Sequence, residues 1–314
     1  MKKLLALLLA LTMVAALAAC SSGPTGESGA SGSAAEEVTE APGPQTIADE
    51  TGVMKMSFSA PETFESAERF INMLADGTIK EKNVTFNISD DESVTYAYAT
   101  EGQNMMEAAE SQEHETAEYA GKTFMIFNYD GAYQSFTQDG EDVFGVEYTA
   151  PEGGREKLDA ALNGISFTDN TDAATDDTEI EGVSYTLDNT LPLAAYSTTV
   201  TETAAGELTK KSVMWKFGAD PDDLDFRFVV RVYKNTTIEA LHKEDKEYED
   251  KEVNGVTYSV LVDSNADAPY EYMTQQGSDV YEIRNSGKSS GWGTTRTEES
   301  FAAFDTFLNT VSFK

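Results

Sequence analysis

Residues 137–144 have the sequence TQDGEDVF, and residues 274–281 have the closely similar sequence TQQGSDVY. Segment 121–124 likewise matches 255–258 ahead of this pair. The number of residues that separates a segment from its match in the second copy only increases along the chain, and each increase falls in a turn-like segment. Insertions confined to loops are typical of a duplicated domain that has diverged. The sequence therefore predicts two tandem copies of one domain.

Hydrophobic periodicity predicts the same series of elements in each copy. Strands are expected at Met54–Phe58, Val84–Ile88, Val94–Tyr98, Thr123–Tyr129, Ala132–Gln138 and Val143–Tyr148, and again at Val183–Leu187, Val213–Phe217, Phe226–Val232, Val256–Val262, Tyr270–Gln275 and Val280–Arg284. A polar helix is expected mid-copy, where Asn104 and Thr236 have the N-cap signature. A closing helix carries an apolar stripe at spacings of 3, 4 and 7, formed by Leu158, Ala161, Leu162 and Ile165 and by Phe304, Phe307, Leu308 and Val311.

Strands, a helix, more strands and a closing helix form an α+β order. This order, with the ending F-x-x-F-L-x-x-V-S-F at 304–313, resembles the PsbP-like α/β/α sandwich family. The resemblance implies two tandem duplicated domains, each an antiparallel sheet packed with helices. It also implies an accessory or assembly role in binding other proteins, and it transfers no functional residue. The alternative fold is a cystatin-like or transport-factor-like curved sheet with a helix.

The N-terminus has the features of an export signal. Lys2 and Lys3 precede an uncharged apolar run at 4–19, which is shorter than a membrane-spanning helix requires. Leu17-Ala18-Ala19-Cys20 resembles the lipobox of bacterial lipoproteins, which implies diacylglycerol on Cys20 and cleavage before it. Two acyl chains would anchor the exported protein durably to the outer face of the bacterial cell membrane. The alternatives are an ordinary signal peptide with a chance cysteine, or an uncleaved anchor.

Composition divides the remaining chain. Residues 21–50 and 168–181 are each rich in small polar residues, with six acids and no base. Such segments bury too little apolar surface to offset the entropy of ordering. The predicted organisation is a signal peptide at 1–19, a disordered acidic Gly/Ser stalk at 20–50, repeat 1 at 51–167, an acidic linker at 168–181 and repeat 2 at 182–314.

Charge and residue counts exclude several functions. The chain has 22 Lys and Arg residues against 56 Asp and Glu residues, a formal net charge of −34, which disfavours nucleic acid. A single cysteine allows no internal disulfide, and with two histidines it offers little for a zinc site. His114 and His242 are predicted to be solvated residues of the mid-copy helices. The sequence therefore predicts no cofactor beyond the lipid and no enzyme, and the alternative is an envelope hydrolase using paired carboxylates.

Two acidic turns are candidate calcium sites. Asp90 and Asp91 lie between two predicted strands of repeat 1, and the longer turn of repeat 2 carries Asp220, Asp222, Asp223 and Asp225. Carboxylate oxygens suit Ca²⁺. Neither turn has the spacing of a helix–loop–helix calcium loop, and solvation is the usual fate of acids in a turn. Weak calcium binding is therefore kept only as an alternative.

Repeat 2 has a nine-residue insertion before its closing helix. The insertion contains Trp292 between two glycines. Exposed aromatic residues favour contacts with partners. The insertion predicts a contact surface made by Trp292, Lys288 and Tyr281, unless Trp292 folds back over the domain. The function expected from the sequence is a lipid-anchored extracytoplasmic binding or adaptor protein without catalytic activity, which contacts a protein or a cell-envelope ligand.

Overall fold

The computed structural model describes residues 46–100, 103–129, 132–169, 178–263, 268–290 and 293–314. Strands account for 52% of it and helices for 13%. The first half contains β1 (Gly52–Val53), β2 (Met56–Ser57), β3 (Ser66–Leu74), β4 (Ile79–Ser89), β5 (Glu92–Ala99), α1 (Gln103–Glu110), β6 (Glu115–Tyr119), β7 (Lys122–Tyr129), β8 (Ala132–Asp139), β9 (Asp142–Thr149), α2 (Gly154–Asn163) and β10 (Ser166–Phe167).

The second half follows the same plan with an extra hairpin. It contains β11 (Val183–Ser184), β12 (Leu193–Thr203), β13 (Leu208–Phe217), β14 (Phe226–Tyr233), α3 (Ile238–Leu241), β15 (Glu247–Val253), β16 (Val256–Val262), β17 (Glu271–Gln276), β18 (Asp279–Asn285), β19 (Lys288–Ser290), β20 (Gly293–Thr295), α4 (Glu298–Leu308) and β21 (Ser312–Phe313). The β19–β20 hairpin lies in the insertion noted in the sequence.

A single antiparallel sheet of 14 strands runs through both halves. Its order is β15-β16-β17-β18-β14-β13-β12-β3-β4-β5-β9-β8-β7-β6. From the centre outward, the order in the first half is β3-β4-β5-β9-β8-β7-β6. In the second half it is β12-β13-β14-β18-β17-β16-β15. Strands β3 and β12 are therefore the inner edges of two similar seven-stranded units, and their pairing joins the units.

The β3–β12 pairing is symmetric. Ile71 pairs with Thr198, and Arg69 pairs with Val200, on either side of a central Phe70–Thr199 pair. The next strands outward pair in the same register. Arg69 of β3 pairs with Val84 of β4, and the corresponding residue of β12, Thr198, pairs with Val213 of β13. The halves thus meet as two subunits of a twofold dimer would, with each edge strand using the other to satisfy its backbone groups.

One face of the sheet, here the covered face, carries the two main hydrophobic cores. In the first half, Leu158 and Leu162 of α2 pack with Val84 and Phe86 of β4. In the second half, Phe304 and Phe307 of α4 pack with Phe228 of β14, at ring-centroid distances of 5.4 and 5.2 Å. The short strands β1, β2 and β10 pair beside the first core, and β11 pairs with β21 beside the second.

The opposite face is here called the polar face, because alternate residues of the central strands place polar side chains on it. In β14, Phe228 and Val230 point to the core, whereas Arg227 and Arg231 lie on the polar face. A smaller apolar cluster covers its outer part in the first half, where α1 lies over β7–β9; its members are Met106, Ala109, Met125, Phe127, Phe136 and Val143. In the second half, the segment of α3 contacts the outer part of this face, where the Ile238 amide donates to Gln275 and the His242 ring contacts Ser259.

The predicted α+β fold, two PsbP-like sandwiches of a sheet packed with helices, is wrong. The structure is mostly β, and its strands merge into one 14-stranded sheet. The closing helices α2 and α4 are present, but α3 spans only Ile238–Leu241. The prediction also omitted strands β3, β6, β12 and β15, so it lacked both the central pairing and the outer edges.

Two local predictions also need correction. The sequence aligns Val94 and Tyr96 of β5 with Phe226 and Phe228, but their ladder positions are those of Phe228 and Val230, two residues further on. The N-cap of α3 is Thr237, whose hydroxyl accepts from the Ala240 amide, and Thr236 lies one residue before it.

Residues at the ends of the predicted stalk and linker are part of the fold. Ile47 lies in a 3-10 turn and is buried in the first core, and Ile180 is buried in the second. The remainder of the predicted stalk, the signal peptide and Cys20 lie outside the described residues. Among the described helices, none has the length and apolarity needed to cross a membrane.

Candidate ligand-binding face

The polar face differs in charge between the two halves. Two positions, one in each half, are called ladder-equivalent here when they pair with corresponding residues of the neighbouring strands. Five basic residues occupy this face in the second half: Lys210, Lys216, Arg227, Arg231 and Arg284. Their ladder equivalents in the first half are Glu81, Asn87, Ser93, Ala97 and Glu147. One scaffold thus presents a basic surface in one half and a neutral to acidic surface in the other.

A buried ion pair lies in the middle of the basic half. Arg231 donates a hydrogen bond to Glu282 over 2.8 Å, and the Tyr233 hydroxyl donates to the same carboxylate over 3.1 Å. Burial alone would raise the pKa of Glu282, but the charges of Arg231 and Arg284 hold it below the ordinary value. Burial also raises the pKa of Tyr233, to about 12, and the charge of Glu282 adds to that increase.

Two lysines of β13 reach across the junction between the halves. The Lys210 ammonium lies 3.1 Å from the buried carboxylate of Glu68, which also accepts from the Thr201 hydroxyl over 3.0 Å. The Lys216 ammonium donates to the Asn72 side chain over 2.6 Å. Burial lowers the pKa of Lys216 to about 8; the charge of Glu81 opposes this change, and that of Arg227 adds to it. These contacts tie the basic surface to the first half.

Three arginines meet at the segment Asn285–Gly287, which links β18 to the β19–β20 hairpin. Arg227 donates to the carbonyl oxygens of Gly287 and Ser286, over 3.1 and 3.4 Å. Arg284 donates to the Ser286 hydroxyl over 3.2 Å, and Arg296 donates to the Asn285 carbonyl over 2.8 Å. Each of these bonds except the one to Ser286 O uses an Nε atom. The three guanidinium groups therefore meet at one segment, and most of their terminal nitrogens are not used to hold it.

The segment under these arginines is held firmly. The fully buried Asn285 accepts from the Gly287 amide over 2.9 Å and donates to the Ser300 carbonyl at the start of α4 over 3.1 Å. Gly287 has a φ of +56°, and a Cβ there would lie 2.3 Å from the Thr295 carbonyl oxygen. Only glycine fits this position, because both its backbone conformation and its surroundings exclude a side chain.

The charges of the three arginines oppose one another. Burial lowers the pKa of Arg227, and the neighbouring charges of Arg284 and Arg296 lower it further. Burial likewise lowers the pKa of Arg296, whose guanidinium carbon lies 3.5 Å from the centre of the Tyr270 ring. A nearby acid, Glu271, has its Oε2 atom 3.7 Å from Arg284 and 3.8 Å from Lys243. The acids of this region are thus shared among several bases.

The first half has half-buried carboxyl groups at the corresponding places. Glu147 accepts from the Gln134 side chain over 2.7 Å, and Glu81 accepts from Asn83 over 3.0 Å. Burial raises the pKa of both carboxyl groups, and these hydrogen bonds oppose the increase. A cavity beside Glu81 and Asn83 has room for about one water molecule. This part of the polar face is tightly packed.

The structure describes two of the three predicted contact residues, Tyr281 and Lys288. Tyr281 is 4% exposed, packs against Phe313 in the second core and donates its hydroxyl hydrogen bond to the Glu181 carbonyl over 2.9 Å. It is a core residue, so its placement in a partner-contact surface is corrected. Lys288 is partly exposed and forms an ion pair with Asp223. Trp292 lies outside the described residues.

The candidate calcium residues lie in exposed turns. Asp220 accepts from the Asp222 amide over 2.9 Å, and the Asp223 carboxylate is paired with Lys288. Asp90, Asp91 and Asp225 are exposed. In the described part of the chain, no group of three or more His, Cys, Asp or Glu side chains is arranged to hold a metal ion.

The two histidines lie at helix ends and not within helices. His114 follows α1, where its Nδ1 is 2.8 Å from the Gln112 carbonyl oxygen. His242 is the C-cap of α3, stacks on Tyr248 at 3.8 Å and has its Nε2 2.9 Å from the Ser259 hydroxyl. Both rings therefore have structural contacts.

Comparison with known proteins gives no assignment. No family model and no curated protein matches the sequence. The immunity protein TplEi of the Pseudomonas aeruginosa T6SS, solved with an "L" peptide, is 6% identical over 74% of this chain and 95% of its own, with a TM-score of 0.19. MucB in complex with MucA(peri) is 8% identical over 80% of this chain and 94% of its own, with a TM-score of 0.16. Similarities of this size carry no argument about fold or function.

Proposed function

We propose that the protein is a lipid-anchored extracytoplasmic binding or adaptor protein without catalytic activity. Its ligand, a protein or another component of the cell envelope, would contact the polar face of the second half next to the β19–β20 hairpin. The lipid would be carried by Cys20, and the N-terminal stalk would hold the folded part away from the membrane.

The charge difference between ladder-equivalent positions is the observation that carries this proposal. Lys and Arg are scarce in a chain of net charge −34, yet five of them lie on one half of one face. Fold alone does not require the three arginines among them, because the first half builds the same strands with Ser93, Ala97 and Glu147 at the equivalent places. Residues that the scaffold does not need are the ones expected to serve binding.

In-cell cross-linking tests this proposal. The wild-type chain is compared with Arg227→Ser, which installs the residue of the equivalent first-half position, and with the reciprocal variant Ser93→Arg. We expect Arg227→Ser to reduce the yield of one discrete cross-linked product at least several-fold, and Ser93→Arg to leave that yield unchanged. Equal yields from the wild type and Arg227→Ser would contradict the assignment of the face.

Anchoring is tested separately through Cys20. Replacing Cys20 by Ser removes the only thiol that could form the thioether to diacylglycerol. We expect wild-type protein in the membrane fraction, labelled by radioactive palmitate, and Cys20→Ser protein without that label. Palmitate labelling that persists in the Cys20→Ser protein would contradict lipid attachment at this residue.

A further inference from the structure

The arginines at Asn285–Gly287 form a cluster that β-sheet architecture does not explain. Arg227 belongs to β14, Arg284 to β18 and Arg296 to the connection before α4, yet all three hydrogen-bond to one three-residue segment. Chain segments distant in sequence thus place three positive charges together. Like charges at short range destabilise a fold unless a counter-charge is near.

The acids around the cluster do not balance it. Glu271 is shared between Arg284 and Lys243, and Glu282 is shared between Arg284 and Arg231. Asp263 accepts a hydrogen bond from Tyr270, on whose ring Arg296 stacks. Within the described residues, neither Arg227 nor Arg296 has a carboxylate oxygen within 4.0 Å of a guanidinium nitrogen. The cluster therefore retains positive charge.

The terminal nitrogens remain suited to an external anion. In the described part of the chain, Arg296 forms one side-chain hydrogen bond, through Nε to Asn285, so both of its terminal nitrogens are left for a ligand. Arg284 uses Nε for Ser286 and places Nη1 3.3 Å from Glu282 and 3.7 Å from Glu271, which leaves Nη2. Arg284 is 26% exposed in its side chain, and Arg227 and Arg296 are half-buried. Stacking on Tyr270 and the rigid Asn285–Gly287 segment fix these side chains before any ligand arrives, which lowers the entropy cost of binding.

We propose that Arg227, Arg284 and Arg296 form a binding site for a phosphate group of the ligand. This inference rests on the proposed function and adds the chemistry of what is bound. A guanidinium fork donates two parallel hydrogen bonds to phosphate oxygens, and a phosphate carries enough oxygens and negative charge to engage three forks. A single carboxylate has two oxygens and one charge, so it satisfies the cluster less completely.

Calorimetric titration of the full chain tests the site. Inorganic phosphate is titrated at low ionic strength, and glycerol phosphate is the second probe because it carries the same group as an ester. We expect saturable binding of inorganic phosphate, weakened at least tenfold in Arg227→Gln and in Arg296→Gln. Binding of glycerol phosphate as well would identify an esterified phosphate as the ligand, and its absence would identify free phosphate.

Arg155→Gln is the matched control, because it removes one arginine from α2 in the other half, where that residue pairs with Asp159 and Glu115. Phosphate binding should be unchanged in this variant. Equal weakening in Arg155→Gln, equal affinity for acetate, or no saturable phosphate binding would each overturn the site. Circular dichroism verifies folding, and Arg227→Lys, which keeps the charge but loses the fork, gives an intermediate affinity even if Arg227→Gln misfolds.

The phosphate site and the proposed function fail in different ways. Reduced cross-linking in Arg227→Ser without phosphate binding by the wild type would overturn the phosphate site and leave the binding face standing. Phosphate binding combined with unchanged cross-linking in Arg227→Ser would overturn the proposed function and leave an anion site of other purpose.

Discussion

The two halves of the sheet share a scaffold and differ in what they place on its polar face. Arg231 and Glu282 form a buried ion pair in the second half, and the equivalent pair in the first half is Ala97 and Gly145. Both halves nevertheless complete seven strands in the same order. The ion pair is therefore an addition to a fold that forms without it.

This difference shows which residues specify the scaffold and which are free to specialise. Positions under the closing helices on the covered face stay apolar in both halves, as at Phe86 and Trp215 or Val94 and Phe228. Positions on the polar face change from acid to base, as at Glu147 and Arg284. Burial of apolar area constrains the first group, whereas charge on the second group determines which ligands the face attracts.

The largest expected effect concerns the buried ion pair. Arg231→Met leaves Glu282 buried without its nearest base, which should lower the free energy of unfolding by about 3 kcal/mol. The double variant Arg231→Met/Glu282→Leu removes both charges, as Ala97 and Gly145 do in the first half. We expect it to recover most of that loss in urea denaturation. A double variant no more stable than Arg231→Met would show that the second half depends on the pair.

The next effect concerns the junction. Glu68→Ala leaves Lys210 and the Thr201 hydroxyl without their shared acceptor, so we expect a loss of about 1.5–3 kcal/mol in urea denaturation. Lys288→Ala is the comparison, because it breaks an exposed pair with Asp223 and should leave the free energy of unfolding almost unchanged. Similar losses in the two variants would argue against a structural role for the polar contacts between the halves.

Stability should respond to pH in opposite directions at Glu282 and Glu147. The depressed pKa of Glu282 means that its ionised form stabilises the fold above the ordinary value of 4.5, and this contribution is lost as pH falls through the folded pKa. The raised pKa of Glu147 means that stability declines as pH rises from 4.5 through its folded pKa. Relative to the wild type, Glu147→Gln should become more stable as pH rises from about 4 to 7, and the stability deficit of Glu282→Gln should grow as pH rises from about 2 to 5.

Urea denaturation across each of these pH ranges measures both variants against the wild type. Relative stabilities that change in the same direction with rising pH in Glu147→Gln and Glu282→Gln would contradict the difference in electrostatic environment between the halves.

The smallest effect concerns one titration. Burial lowers the pKa of Lys216 to about 8, whereas the hydrogen bond to Asp223 raises that of Lys288 above its ordinary 10.5. The rate of labelling by an amine reagent should therefore rise with a midpoint near 8 at Lys216 and at much higher pH at Lys288. Arg227→Ser should shift the Lys216 midpoint upward, because it removes a neighbouring positive charge. An unchanged midpoint would show that the charge of Arg227 does not affect the pKa of Lys216.

Sequence periodicity located the strands with one clearly apolar face, such as β4, β7 and β16, and the amphipathic helices α2 and α4. It did not locate β3 or β12. Strand β12 is rich in Thr and Ala, and β3 buries the charged Glu68 on its polar face, so alternation between apolar and polar residues is weak in both. The backbone hydrogen bonds between β3 and β12 stabilise two strands whose own sequences favour a strand only weakly. Periodicity within one segment does not reveal such pairing between residues 129 positions apart.

Strands β6 and β15 were missed for a different reason. Both are sheet edges with exposed acidic residues, as in Glu115–Tyr119 and Glu247–Val253. Exposed charges on an edge strand discourage pairing with other chains, but they also remove the apolar pattern by which a strand is recognised.

The arginine cluster could not be predicted from sequence. Arg227, Arg284 and Arg296 come from separate segments, and only the pairing of β14 with β18 brings the first two together. The sequence did indicate the right neighbourhood, since the insertion of repeat 2 follows Asn285. It gave no reason to prefer Arg227 over any other base, and it placed the buried Tyr281 at the surface.

The most direct test compares the two halves within one titration. Amide chemical shifts of the full chain are followed by NMR as inorganic phosphate is added, at Asn285, Ser286 and Gly287 and at their ladder equivalents Tyr148, Thr149 and Ala150. We expect saturable shifts at 285–287 and none at 148–150. Shifts of equal size in both segments, or none at 285–287, would contradict the claim that the arginine cluster of the second half binds phosphate.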